Sequence, residues 1–167
     1  MAGERPALRR RAGRAPHRLR SILRRIAATA LDDTIRELLS TPLTWAVVGC
    51  SPSPARDSHG IAGLLKRRGN RIVPVNPRAA GAEIHGERCV ASLADLPADA
   101  GIDVVDIFRR ADAAGAHVDE AIAIGARAVW MQLGVVDEDA AARAEAAGLE
   151  VVMDVCPKIE WWAHGPR

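Results

Sequence analysis

Cysteine is scarce in this chain, and its three copies, Cys50, Cys89 and Cys156, stand far apart with no C-x-x-C and no histidine at ligand spacing. That argues against a disulfide framework or a zinc site. Long apolar runs are also lacking. None approaches the roughly 20 residues that a membrane-crossing helix needs, and the N-terminus has no apolar segment of the secretory kind, so a cytoplasmic protein with no membrane partner is expected. The chain holds no G-x-x-x-x-G-K-[ST], which excludes a P-loop, and no G-x-G-x-x-G. A nucleophile with a base, paired carboxylates and a metal constellation are all missing at recognisable spacing. No catalytic residue and no metal ligand is therefore assigned, and binding without catalysis is the expectation.

What is present is a chain of 167 residues with 49% apolar content, enough for one domain and an appendage. Charge divides it sharply. Residues 1–25 hold nine Arg against Glu4, a formal +8, whereas the remainder holds 14 basic against 20 acidic residues, a formal −6. The sequence pI of about 8.7 thus describes the arm and not the body. A nucleic-acid-binding body is not expected, and any such contact would be nonspecific and made by the arm. The arm's Arg-rich, acid-poor composition superficially resembles that of an organellar transit peptide, but a disordered extension or an upstream start codon is the favoured reading, with no order expected over residues 1–20. The expected units are an arm over residues 1–25 and a folded domain over residues 32–162.

Five short apolar runs read as buried strands: Trp45 to Val48, Arg71 to Val75, Asp103 to Phe108, Ala128 to Leu133 and Glu150 to Met153. Helical patterns fall between them, over Ser58 to Arg68, Asp112 to Ile124 and Asp137 to Ala147, each followed by glycine within one residue. Ahead of the first strand, Asp33 can cap a short helix over Thr34 to Leu39, which Pro42 ends, while Ser21 to Leu31 is left open. Between Gly81 and Pro97 two brief extended pieces and a helical turn at Ser92 to Leu96 break the rhythm. Apolar, non-alternating strands separated by helices predict an α/β, Rossmann-like three-layer fold with a five-stranded, mainly parallel sheet.

Special residues gather where these strands end, and in open parallel sheets the strand ends form the edge that binds ligands. Gly49-Cys50-Ser51-Pro52 follows the first strand, and Ser58-His59-Gly60 opens the first helix. Backbone N–H groups there, with the Ser51 and Ser58 hydroxyls, suit an anion, and Gly49 would let the backbone approach phosphates closely. His59 could donate to a phosphate or be an ordinary loop histidine. The second strand ends Val75-Asn76-Pro77-Arg78, where an NAD site would place an acid for the ribose hydroxyls. Arg78, joined by Arg56, suits a phosphorylated ribose instead, which leaves NADP or a 3′-phosphorylated adenosine such as coenzyme A.

The run W-A-V-V-G-C-S-P-S-P-A-R-D-S-H-G, then R-I-V-P-V-N-P-R, V-D-I-F-R-R, A-V-W-M-Q-L-G-V and V-V-M-D-V-C-P-K-I-E-W, together resemble the stand-alone CoA-binding domain proteins. These are similar to the CoA-binding domain of the succinyl-CoA synthetase alpha subunit. The resemblance spans about Asp32 to Trp161 and departs at Ser53, where family members often carry Lys. It implies a Rossmann-like nucleotide-binding fold that holds coenzyme A or an acyl-CoA. By motif match it sets Gly49, Ser51, Arg56, Ser58, Asn76, Pro77 and Arg78 around the adenosine and phosphates. Phe108, Arg109, Gln132, Leu133 and Gly134 then fall along the pantetheine. Arg109 is expected to face the crevice in preference to Arg110, and Phe108 to serve either the ligand or the core. Cys50 and Cys156 could each approach the ligand or be small packed residues, and Trp161-Trp162 could lie on the body or meet a partner. The synthetase needs a further domain with a phosphorylated histidine and a nucleotide-binding subunit, for which there is no room here. The resulting expectation is non-catalytic CoA binding, with an NADP-dependent oxidoreductase as the alternative.

Overall fold

The computed structural model describes residues 17–164. Five parallel strands form the central sheet: β1 (Thr44–Val48), β2 (Arg71–Val75), β5 (Val104–Ile107), β6 (Ala128–Met131) and β7 (Glu150–Val152), in the order β2-β1-β5-β6-β7. The register sets Val47 between Pro74 and Asp106, and Asp106 beside Trp130. Pro74 is tolerated inside β2 because that strand is at the sheet edge, where no ladder N–H is needed on its outer side. β3 (Glu83–Ile84) and β4 (Glu87–Arg88) make a small antiparallel hairpin, and a 3₁₀ turn covers Leu93–Asp95. Strand order reverses between β1 and β5, the switch point at which such sheets open a crevice.

Strand side chains alternate between two apolar layers because both faces are covered. Trp45, Val47 and Trp130 face one layer, where Ile35, Leu38 and Leu39 of α1 (His17–Ser40), Ile61 and Leu65 of α2 (Asp57–Arg67) and Trp161 of α5 (Pro157–His164) pack on them. Ala46, Val48, Val105 and Val129 face the other, against Ala114, Val118 and Ala121 of α3 (Ala111–Ala123) and Ala140, Ala141 and Ala144 of α4 (Glu138–Ala146). Each fully buried large apolar side chain contributes roughly 1.5–3 kcal/mol, so the Trp45–Trp130 pair, with centroids 5.6 Å apart, is a main prop of the first layer.

The chain is thus an α/β, Rossmann-like domain, and all five sheet strands are parallel. Two helices differ from expectation. Asp32-Asp33 does not break α1, which runs unbroken from His17 to Ser40. Both aspartates are exposed, and Asp33 pairs one turn on with Arg36 at 2.8 Å, which helical geometry supports. Order therefore begins within the stretch where none was expected, and the rest of the basic arm, residues 1–16, lies outside the described residues. The helix α5 was not foreseen at all. It starts on Pro157, buries Trp161 and leaves Trp162 82% exposed, and Arg68 stacks 4.9 Å above the Trp161 ring. Among the described residues no helix is long and apolar enough to cross a membrane.

Candidate functional site

Two adjoining cavities, of about 980 and 820 Å³, open along the carboxyl edge of β1, β2, β5 and β6. Arg56, Asp57, Phe108 and Arg109 line both, so the two form one cleft. All twelve residues proposed from sequence line it. Gly49, Ser51, Ser58, Asn76, Pro77 and Arg78 surround the smaller cavity, whereas Gln132, Leu133 and Gly134 belong to the larger. Arg110 also lines the larger cavity, so both adjacent arginines reach the cleft, but its guanidinium is held by Asp112 at 2.7 Å.

The first loop is braced from within. Gly49 and Cys50 donate their N–H groups to the Val75 carbonyl at 2.8 and 3.3 Å, which ties the ends of β1 and β2 together. Ser58 is buried, and its hydroxyl accepts from the Ser51 N–H at 3.1 Å, while the Ser51 hydroxyl accepts from the Ser53 N–H at 3.1 Å. Both hydroxyls thus shape the loop before they offer anything to an anion. His59 Nδ1 donates to the Ser51 carbonyl at 3.0 Å, and His85 stacks on its ring at 4.1 Å. That histidine lies behind the loop and not on the cavity wall. Asn76 caps the turn Pro77–Ala79 by accepting from Arg78 N–H at 3.0 Å, and its amide donates to the Cys50 carbonyl at 2.8 Å.

Gly49 has a different reason for being glycine than closeness to phosphate. Its φ of +83° belongs to the left-handed region, and a Cβ there would collide with the Phe108 carbonyl oxygen at the end of β5. The glycine lets two strand ends meet. Phe108 is half-buried against the first apolar layer and also lines both cavities.

Beneath the larger cavity, Gln132 Nε2 donates to Asp106 Oδ1 at 2.6 Å. This bond holds the Gln132 amide in one orientation. Asp106 is fully buried in the central strand, and burial pushes its carboxyl up to about 8 against the partly offsetting bond from Gln132. Its Oδ2 is sealed off with no protein partner among the described residues. Burial likewise pushes the Cys50 thiol up to about 12, with Cys89 and Asp106 adding to the effect, so Cys50 is an inert packed residue. Cys156 is half-buried and lines the larger cavity.

Charge is the cleft's distinguishing property. Arg56, Arg67, Arg78, Arg109, Arg110 and Lys158 line it, against a single carboxylate, Asp57. Among the described residues, no carboxylate is salt-bridged to Arg56, Arg78 or Arg109.

Residues 43–162 match the family described as CoA binding domain. The chain belongs to this CoA-binding domain family. It is 35% identical over 125 residues to an uncharacterized protein, YneT, of Bacillus subtilis (strain 168), covering 75% of this chain and 90% of that one. Among solved structures, the PH1109 protein redesigned for binding is 36% identical with a TM-score of 0.75, and covers 81% of this chain and 94% of its own. The cell-free ID.343 protein of Thermus thermophilus is also 36% identical, with a TM-score of 0.73, and covers 79% of this chain and 97% of its own.

Several cleft contributors of this CoA-binding domain were not assigned from sequence, among them four large side chains. Buried Ile61, half-buried Leu64 and exposed Arg67 come from α2, and Lys158 from α5. The reading followed strand exits, whereas these side chains enter from helices. Spacing offered a signal for α2 only, because Ile61, Leu64 and Arg67 recur at i, i+3 and i+6 after the loop that the glycines and serines mark.

Proposed function

We propose that this protein binds coenzyme A or an acyl-CoA in the edge cleft and performs no ligation itself. The observation that carries this reading is the gathering of six cationic side chains against one carboxylate on a body whose sequence is net acidic. A ligand with several phosphates is the natural match for such a site. Arg56 and Arg78 flank the smaller cavity, where the adenosine and its 3′-phosphate would sit, while Arg109 stands between the cavities for the pyrophosphate. The pantetheine would then run past Phe108 toward Leu133 and Gly134, with its thiol end near Cys156. Gln132, with an amide hydrogen given to Asp106, would accept from a pantetheine amide N–H through its carbonyl oxygen. Each cavity falls in or near the range of about 300–1,000 Å³ usual for ligand pockets.

Titration calorimetry with coenzyme A and dephospho-coenzyme A tests the assignment. Charge-assisted contacts to phosphate contribute about 1.5–3 kcal/mol, so loss of the 3′-phosphate should weaken binding roughly tenfold or more. NADP should compete poorly, since the first strand is followed by Gly49-Cys50-Ser51-Pro52 and not by the tight glycine loop of a dinucleotide site. Equal affinities for the two coenzymes, or tighter binding of NADP, would overturn the reading.

A further inference from the structure

Helix α1 carries two apolar faces that point in opposite directions. From Leu31 onward its apolar residues meet the body, with Ile35, Leu38 and Leu39 all nearly or fully buried. In its first half, Leu19, Ile22 and Ile26 recur at i, i+3 and i+7 and are 45%, 53% and 60% exposed. Ile26 and Ile35 are nine residues apart, which at 3.6 residues per turn is two and a half turns, so the first stripe faces away from the side that packs. Every residue from Arg25 to Ala30 is exposed, so the body covers neither side of the helix there. Three large aliphatic side chains in a row on an uncovered helix call for an occupant.

Charge selects which one. The sequence of this half of α1 includes Arg18, Arg20, Arg24 and Arg25, and residues 1–25 carry a formal +8. A second copy of the chain would bring two such segments together, at a cost in repulsion. Nucleic acid would satisfy the arginines but leave the aliphatic stripe in water. An acidic lipid surface matches both features, since aliphatic side chains enter the acyl boundary while guanidinium groups stay among the headgroups. We propose that the first half of α1 docks on an anionic lipid surface, with Leu19, Ile22 and Ile26 as the inserted stripe. The expectation of no membrane partner rested on the lack of a spanning run, and a helix that lies on the surface needs none.

Co-sedimentation of the full chain with vesicles tests this, using phosphatidylcholine alone or phosphatidylcholine with phosphatidylglycerol. The wild type should pellet only with the phosphatidylglycerol vesicles. Ile26→Glu should weaken that binding about tenfold or more, whereas Ala28→Glu, the same charge change on the far side of the helix, should weaken it only about threefold or less. Both sites are exposed, so both variants should keep the wild-type melting temperature. Wild-type chain that stays in the supernatant with the acidic vesicles would overturn the proposal. Equal loss in the two variants would also overturn it, because binding would then be electrostatic only. So would a dimer in size-exclusion chromatography with light scattering that Ile26→Glu dissolves, since a second copy would then cover the stripe.

Discussion

At the scale of single residues, glycines with similar backbone angles do different work, and the difference can be measured. Gly49 and Gly81 have φ of +83° and +85°, so any L-residue is strained at either position. At Gly81 a Cβ would meet nothing within 4 Å, whereas at Gly49 it would run into the Phe108 carbonyl. Gly81→Ala should therefore cost about 1 kcal/mol, the conformational term alone. Gly49→Ala should cost about 2 kcal/mol or more, because the ends of β1 and β5 must also part. Urea unfolding of both variants checks this. Equal losses would mean that the Phe108 contact relaxes freely. Weakened ligand binding in Gly49→Ala would follow from displacement of Phe108 and Arg109, and not from a Cβ facing phosphate.

At the scale of elements, the five strands were legible to within about two residues, because each is a buried apolar run closed by Gly, Pro, Asn or Arg. Helices α2, α3 and α4 were legible for a similar reason, since a glycine follows the end of each. What stayed hidden were features without punctuation. Asp32-Asp33 looked like a break only because their exposure, and the Asp33–Arg36 pair that fits them into a helix, cannot be read locally. The helix α5 is only eight residues long and has an apolar pattern too brief to stand out, yet it supplies Lys158 to the cleft and Trp161 to the core. The site was read as a set of strand exits, and that part of it gathers in the cleft. The jobs of Ser58, His59 and Gly49 within it were not legible, because each depends on a partner brought near by folding. For α1 the division of labour leads to a prediction. Leu19, Ile22 and every residue from Arg25 to Ala30 are exposed, so deleting residues 1–27 should leave the thermal midpoint within a few degrees and the affinity for coenzyme A within about twofold. Differential scanning calorimetry and titration calorimetry would show it. A truncated protein that loses coenzyme A would place the arm in the site.

At the scale of the whole molecule, an acidic body gathers six cations at one edge of its sheet, and a fully buried carboxylate in the central strand is placed where titration acts on the entire fold. Asp106 lies in β5, flanked by β1 and β6, and it is fully buried with no salt bridge to a cation among the described residues. Burial holds its carboxyl near 8, far above the ordinary 3.8. Between those values the folded protein keeps a proton that the unfolded chain has released, so unfolding is favoured progressively as pH rises. The stability this group confers is complete below about pH 4, declines by up to about 1.4 kcal/mol per pH unit, and is exhausted above about pH 8. Asp106→Asn removes the titration but keeps an oxygen to accept from Gln132. The variant should thus gain on the wild type steadily from pH 5 to pH 8 and hold a constant advantage from there to pH 9. Because other groups titrate alike in both proteins, the difference between their urea-unfolding free energies isolates Asp106. A difference that does not change with pH would show that the carboxylate is ionised in the fold, with a counter-charge or solvent reaching Oδ2 from the cleft.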